Sequence, residues 1–97
     1  GMDYYVGNAK SLQGLADDLG LDYIGGDGSP YVFVDLKGHS SWDTFSTILE
    51  ECQVVTIPGA GFGPGGEGFL RFSAFAPREA CEEARRRISQ IDIFKGQ

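Results

Sequence analysis

The strongest evidence for the fold lies in residues 54–75, whose sequence is VVTIPGAGFGPGGEGFLRFSAF. It opens with the β-branched run Val54–Ile57, which Pro58 ends, and it closes with the apolar and aromatic run Phe69–Phe75. Both runs have the composition of β-strands. Six of the ten residues 59–68 are glycine, which is typical of a loop with several positive φ angles. We therefore predict two consecutive, antiparallel strands joined by this glycine-rich loop.

Side chains along a strand alternate between its two faces. In the run 69–75 this places Leu70, Phe72 and Ala74 on one face, and Phe69, Arg71, Ser73 and Phe75 on the other. A further strand is predicted over residues 31–36, where the same alternation separates Val32, Val34 and Leu36 from Tyr31, Phe33 and Asp35. Residues 22–30 before it are rich in glycine and end in Pro30, so they predict a turn.

Three helices are predicted from apolar residues that recur every three or four positions. The first spans residues 3–19 and ends at Gly20, the second begins after Ser40, and the third begins at Pro77. Ser40 and Asp43 have the spacing of a capping box. The expected apolar stripes are Tyr5, Ala9, Leu12, Ala16 and Leu19; then Trp42, Phe45, Leu49 and Cys52; then Cys81, Ala84, Ile88 and Ile91. On the third helix, Glu82 with Arg86 and Glu83 with Arg87 have the spacing of i, i+4 ion pairs.

The order of these elements predicts an α+β fold. It is a two-layer sandwich, in which a small, mostly antiparallel sheet carries helices mainly on one face. At 97 residues the chain has the length of a single domain. We expect this domain to occupy residues 1–97, with Gly1 as the remnant of an expression tag and Met2 as the start of the reading frame.

Charge and hydropathy exclude several classes of partner. The formal net charge is −6, which argues against binding to nucleic acid. The apolar runs are only a few residues long, and no signal sequence opens the chain, so we expect a soluble, cytoplasmic protein that does not enter the membrane. Cys52 and Cys81 are expected to be free, buried thiols. His39 lies in a predicted turn without acidic or thiol neighbours at ligand spacing, so we expect no metal site.

The glycine-rich loop contains the pattern G-x-G-x-x-G at residues 61–66. In dinucleotide-binding proteins this pattern leads into a helix whose N-terminus receives the pyrophosphate, whereas here a strand follows. Pro64 also removes a backbone donor. We therefore reject nucleotide binding. The loop is either a wide hairpin connection or a place where backbone passes close to a ligand or to another part of a larger protein.

Arg71 is the most informative single residue. Its guanidinium lies among apolar strand residues and requires an anionic partner if it is buried. Three alternatives stay open: an ion pair with Glu67 or Asp35, plain exposure on an uncovered sheet face, or a binding site for a ligand carboxylate, which the planar fork of arginine matches with two hydrogen bonds.

Residues 55–75 resemble the C-terminal small domain of pyridoxal-phosphate-dependent aminotransferases of fold type I, class I/II. The sequence pattern is similar to that of the LL-diaminopimelate aminotransferases, whose corresponding segment is P-G-x-G-F-G-P-x-G-E-G-[FY]-x-R-x-[ST]-A-F. Further matches cover nearly the whole chain: Tyr4-Tyr5 with Asn8-Ala9, Ser29-Pro30-Tyr31-Val32, Ser41-Trp42-Asp43 and Arg78-Glu79.

The resemblance implies that Arg71 holds the α-carboxylate of an amino-acid or dicarboxylate substrate. It also implies that Phe62, with Gly61 and Gly63, forms a loop that approaches the active site when the small domain closes. The family's Schiff-base lysine lies in a motif that none of Lys10, Lys37 and Lys95 matches, and its other cofactor ligands belong to a large domain. We therefore expect pyridoxal phosphate in a full-length enzyme, no catalytic residue and no cofactor in this chain alone, and a missing large domain as partner.

The hypothesis that the chain is the small domain of an aminotransferase has alternatives. The chain is expected to be a fragment, a truncated reading frame or a free-standing relative. A self-standing binding or oligomerisation domain on the same scaffold is the rival hypothesis, and a third is that Arg71 and the loop have lost their function. In each case we expect a homo-oligomer, formed through the first helix or through the sheet face with Phe69 and Phe75.

Overall fold

Four antiparallel strands and three α-helices form the part of the chain, residues 2–95, that the computed structural model describes. The elements follow in the order α1 (Met2–Leu19), β1 (Tyr23–Gly25), β2 (Tyr31–Asp35), α2 (Ser41–Cys52), β3 (Ile57–Pro58), β4 (Phe69–Ser73) and α3 (Arg78–Ile88). The strand order in the sheet is β1-β2-β4-β3. The two central strands are therefore the two that have the clearest alternation in the sequence.

One face of the sheet packs against the helices and forms the core. Val32 and Val34 of β2 and Leu70 and Phe72 of β4 are buried, as the alternation predicts. The helices contribute Ala9, Leu12, Leu15, Ala16, Ile48, Cys52, Ala84 and Ile88 to the same cluster. Each large aliphatic side chain in such a core contributes about 1.5–3 kcal/mol to folding. The predicted α+β sandwich is confirmed.

Asn8 joins α1 to the segment between β4 and α3. Its side chain is fully buried and donates to the carbonyl oxygens of Ala74 and Ala76, at 3.0 and 2.9 Å. Its Oδ1 accepts a hydrogen bond from Nε of Arg78 at 2.7 Å. Arg78 also donates to the carbonyl oxygen of Tyr4 at 2.6 Å. A polar side chain inside the core is therefore fully paired, and it sets the position of α1 on the sheet.

The ends of the helices largely follow the sequence. Gly20 has φ of 71°, and its N–H donates to the carbonyl oxygen of Asp17, which ends α1. Ser40 caps α2, because its side chain accepts a hydrogen bond from the N–H of Asp43 at 3.2 Å. Pro77 is the residue before α3 rather than its first residue.

The predicted apolar stripe of α2 is correct for Cys52 and Phe45, which lie in or against the core, and wrong for its other two residues. Trp42 is 55% exposed and Leu49 is 38% exposed, whereas Ser41, Thr44 and Ile48 are buried together with Cys52. The polar atoms of Ser41 have partners inside the fold, which makes its burial possible. Trp42 instead packs edge-on against Phe45 near the surface, with ring centroids 5.7 Å apart.

Two strands differ from the prediction. Residues 23–25 were predicted to lie in a turn but form the edge strand β1, which pairs with β2 from Tyr23 opposite Val34 to Gly25 opposite Val32. The run Val54–Ile57 was predicted as a strand, but β3 contains only Ile57 and Pro58. Proline has no N–H to donate to the sheet, and it is tolerated here because β3 is an edge strand.

Helix α3 is shorter than predicted and pairs its charges differently. The helix ends at Ile88, and Ile91 reaches the core from the turn that follows. Glu83 pairs with Arg87 at 2.8 Å, as predicted, but Arg86 pairs with the same glutamate instead of with Glu82. These pairs are exposed and contribute little to stability.

The remaining expectations concern cysteine, histidine and the membrane. Cys52 and Cys81 are free and buried, as expected. His39 lies in the turn before α2 and packs edge-on against Phe94, at 5.2 Å between ring centroids. Within residues 2–95 no cluster of three or more metal-binding side chains is found. Among these residues, no helix combines the length and the apolar character that a membrane crossing requires.

Candidate functional site

Arg71 lies at the centre of the sheet face that the helices leave uncovered. In the sheet register it stands between Phe33 of β2 and Ile57 of β3. Tyr31, two residues before Phe33, points to the same face because strand residues alternate. The guanidinium is therefore surrounded by apolar and aromatic neighbours.

Two aromatic rings contact the guanidinium directly. The Cζ atom of Arg71 lies 4.4 Å from the ring centroid of Tyr31 and 4.8 Å from that of Phe62. Phe62 also contacts Phe33 edge-on at 6.2 Å, and Tyr31 contacts Phe75 edge-on at 6.1 Å. Cation–π contacts of this kind contribute about 0.5–1 kcal/mol at exposed sites and more where water is excluded. The rings hold the arginine in place without neutralising it.

An ion pair between Arg71 and Glu67 or Asp35 was one of the open alternatives, and the structure contradicts it. Glu67 accepts hydrogen bonds from Ser41, and Asp35 accepts one from the N–H of Lys37 at 2.9 Å. Among residues 4–95, whose side chains the structure describes, no salt bridge includes Arg71. Its Nε atom is buried and has no hydrogen-bond partner within the same range. Plain exposure does not describe it either, since the residue is half-buried.

The glycine-rich loop is ordered by close contact between its own ends. It folds into two short 3₁₀ turns, Gly59–Phe62 and Pro64–Gly66. A Cβ atom at Gly59 would lie 1.8 Å from the carbonyl oxygen of Gly66, and one at Gly66 would lie 2.1 Å from that of Gly59. The two backbones can cross at this distance only because both residues are glycine. Gly63, with φ of 110°, separates the two turns.

The loop is fastened to the start of α2 by Ser41 and Glu67. The N–H and Oγ of Ser41 donate to the two carboxylate oxygens of Glu67, at 2.8 and 3.1 Å. The N–H of Ala60 donates to the same Oγ at 3.2 Å. The hydrogen bond from the backbone N–H of Ser41 holds the pKa of the Glu67 carboxyl below its usual range. The carboxylate also lies at a helix N-terminus, where negative charge is favourable.

The structure brings Arg71 and Phe62 together and places Gly61 and Gly63 beside Phe62 in the loop. Gly61 is exposed, and no other part of the chain lies within 4 Å of where its Cβ would be. Tyr31 was not among the predicted site residues. The alternation over residues 31–36 was the signal that could have identified Tyr31. It places Tyr31 and Phe33 on one face of their strand, and an antiparallel pairing of the two strands can put Arg71 on the same face.

A cavity of about 400 Å³ lies elsewhere, between α3, the end of β4 and the residues that follow α2. Cys81 contributes to its wall, and burial raises the pKa of this thiol. A thiol with a raised pKa is a weak nucleophile, so this cavity offers no chemistry that competes with the Arg71 site.

The described residues do not fit a binding site for pyridoxal phosphate. Such a site requires a lysine that reaches the reacting carbon atom. Lys10 lies on α1, Lys37 lies in the turn after β2, and Lys95 follows α3, where it pairs with Asp92 at 2.8 Å. All three are exposed, and none lies on the strand face that carries Arg71. Among the residues that the structure describes, the site therefore contains one anion-binding group, Arg71, and no lysine.

Comparison with known proteins gives one consistent result, although no family model matches the chain. The chain is 49% identical over 88 residues to a protein of Oryza sativa named probable LL-diaminopimelate aminotransferase, chloroplastic. It is 50% identical over 88 residues to the chloroplastic LL-diaminopimelate aminotransferase of Arabidopsis thaliana. Each match covers 91% of this chain but 19% of the relative. The chain thus spans about a fifth of the length of the curated relatives it matches.

Solved structures show the same relationship. The L,L-diaminopimelate aminotransferase from Chlamydomonas reinhardtii superposes with a TM-score of 0.86 and 46% identity, over 91% of this chain and 22% of that one. An aromatic aminotransferase from Pyrococcus horikoshii superposes with a TM-score of 0.85 at 28% identity, over 93% of this chain and 24% of that one. The chain is therefore similar, in both sequence and fold, to a small domain that makes up about a fifth of the LL-diaminopimelate aminotransferases.

Proposed function

We propose that this chain supplies the arginine that binds the α-carboxylate of the substrate in an LL-diaminopimelate-type aminotransferase. The observation that supports it is the state of Arg71, a half-buried residue whose guanidinium is not neutralised by any acidic side chain among residues 4–95. Leaving a buried charged donor without a partner costs free energy, and a ligand carboxylate removes that cost.

The surroundings of Arg71 favour a carboxylate. The rings of Tyr31 and Phe62 restrict the guanidinium, and its Nε atom is buried. Exclusion of water strengthens a charged hydrogen bond, and a restrained guanidinium loses less rotamer freedom on binding. The substrate class that fits is an amino acid or a dicarboxylate. In this proposal the loop with Gly61, Phe62 and Gly63 closes over the bound substrate.

Arg71 can orient a substrate but cannot complete a transamination. Pyridoxal phosphate would supply the electron sink for that reaction, and in this proposal its ligands belong to the missing large domain. We propose that the chain alone neither binds this cofactor covalently nor transaminates. The cytoplasmic location stays a prediction, because the relatives from Oryza sativa and Arabidopsis thaliana are named chloroplastic.

The absence of a cofactor lysine is testable by absorbance. We expect that the purified chain, incubated with pyridoxal phosphate, shows no saturable visible absorption band. The only visible absorbance should come from free cofactor and from its nonspecific reaction with exposed lysines. Borohydride reduction followed by peptide mapping is expected to show only low, nonselective labelling of Lys10, Lys37 and Lys95. Stoichiometric labelling of one lysine would contradict the proposal.

Replacing Arg71 by leucine tests the carboxylate site itself. With glutarate as the probe, we expect R71L to lose binding by at least about tenfold, measured by titration calorimetry or amide chemical shifts. Stability should change by only about 1 kcal/mol, since no ion pair is broken and the leucine packs against Tyr31 and Phe62. R86L is the matched control, because Arg86 lies on the exposed face of α3. Unchanged glutarate binding in R71L, or a stability loss of about 3–5 kcal/mol, would count against the site.

The second candidate function is a self-standing binding or oligomerisation domain. The uncovered sheet face favours it, because Phe75 is 66% exposed and Ile24 and Ile57 are exposed on the same face. Exposed apolar surface of this kind promotes association. The homo-oligomer accordingly stays a prediction, and it is compatible with either function.

A further inference from the structure

The start of α2 holds the glycine-rich loop at both of its ends. Ala60 lies in the first turn of the loop and Glu67 directly after the second, and both form hydrogen bonds to Ser41. We infer that Ser41 and Glu67 are positioning residues that keep Phe62 beside the guanidinium of Arg71. This inference rests on the proposed function only as far as ligand binding is concerned.

Phe62 needs such support because its own packing is weak. The residue is 50% exposed, and its aromatic and cation–π contacts within the described residues are to Phe33 and to Arg71. A half-exposed ring on a loop gains little from burial, so the course of the loop backbone decides where it lies. That course is set by the crossing of Gly59 with Gly66 and by the hydrogen bonds to Ser41.

A glutamate is well suited to this position. Its two carboxylate oxygens accept from the N–H and from the Oγ of Ser41 at the same time. Ser41 is fully buried, so its polar atoms depend on these partners rather than on water. Glutamine can still accept from the N–H with its oxygen, while its amide nitrogen donates to the Oγ. Alanine leaves the N–H of Ser41 without an acceptor.

A ligand-free experiment tests the positioning role. Because the rings of Tyr31 and Phe62 lie against the guanidinium, we expect their ring currents to shift the resonances of the Arg71 Nε–H and δ-methylene protons. The F62A variant then measures the part of this shift that Phe62 contributes. We expect E67A to lose most of the Phe62 contribution to the Arg71 resonance shifts, and E67Q to keep most of it. E50A is the matched control, because Glu50 is exposed on the same helix, and it should leave the Arg71 resonances in place. Arg71 resonances in E67A identical to those of the unmodified chain, with F62A shifted, would overturn the inference.

Stability and binding complete the test. If E67A fails to fold, S41A replaces it: that variant loses the Oγ contacts to Glu67 and Ala60 but keeps the backbone N–H, and it should lose part of the Phe62 contribution. In whichever of E67A and S41A folds and has displaced Arg71 resonances, we expect the affinity for glutarate to fall by about threefold or more. Displaced resonances together with unchanged glutarate binding in R71L would refute the proposed function and leave the positioning role intact. Loss of binding in R71L with unmoved resonances in E67A and S41A would refute only the positioning role.

Discussion

Replacing Asn8 by alanine is expected to lower the free energy of unfolding by about 3 kcal/mol. The substitution removes two donors to carbonyl oxygens, at 3.0 and 2.9 Å, and the acceptor of the Arg78 Nε–H at 2.7 Å. The carbonyl of Ala74 lies in the buried part of this network, and it cannot recover its partner from bulk water. For a domain of this size the loss corresponds to a fall in Tm of about 15 °C.

Two comparisons separate the hydrogen bonds from other effects of the change. K10A alters an exposed residue of the same helix, and it should change stability by no more than about 0.5 kcal/mol. N8D keeps one oxygen as the acceptor for Arg78 but places its other carboxylate oxygen, in place of the amide nitrogen, beside the carbonyls of Ala74 and Ala76. We expect N8D to be clearly destabilised at neutral pH in urea melts. An N8D variant as stable as the unmodified chain would show that the two donated hydrogen bonds contribute nothing.

Replacing Gly59 by alanine is expected to cost about 3 kcal/mol, although it adds a single methyl group. The new Cβ would lie 1.8 Å from the carbonyl oxygen of Gly66 and 2.6 Å from that of Phe69. Both are backbone atoms, so no side-chain rotation relieves the clash and the two ends of the loop must separate. Separation should also move Phe62 away from Arg71, which the Arg71 resonances would report.

G61A is the matched control, because it makes the same glycine-to-alanine change in the same loop and has the same amino-acid composition as G59A. In G61A the added methyl group has no heavy atom of another part of the chain within 4 Å, and the φ angle of Gly61 is not positive. Restricting the unfolded chain should then leave stability unchanged or raise it by about 0.5 kcal/mol. Urea denaturation of G59A and G61A side by side measures the difference. Equal stabilities would contradict the backbone crossing in the structure.

The candidate site was predictable to different degrees for its different residues. Arg71 and Phe62 are recognisable from the glycine-rich motif and the strand that follows it. That no acid among residues 4–95 neutralises Arg71 was not predictable, because Glu67 is near in sequence and Asp35 lies on the neighbouring strand. Their actual partners, the N–H groups of Ser41 and Lys37, follow from the packing of α2 on the loop and from the turn after β2.

Local sequence patterns were sufficient to predict the faces of β2 and β4, the end of α1 at Gly20 and the start of α2 after Ser40. These features depend on side-chain alternation, a positive φ angle and a hydrogen bond three residues away, all of which act between near neighbours in the chain. Three other features follow from long-range packing: Ser41 rather than Trp42 faces inward, residues 23–25 pair with β2, and Tyr31 contacts Arg71. Each of these three features depends on residues that are distant in sequence, as the burial of Ser41 depends on Glu67. The local sequence pattern does not indicate which distant group will form hydrogen bonds with a buried polar atom or with an open strand edge.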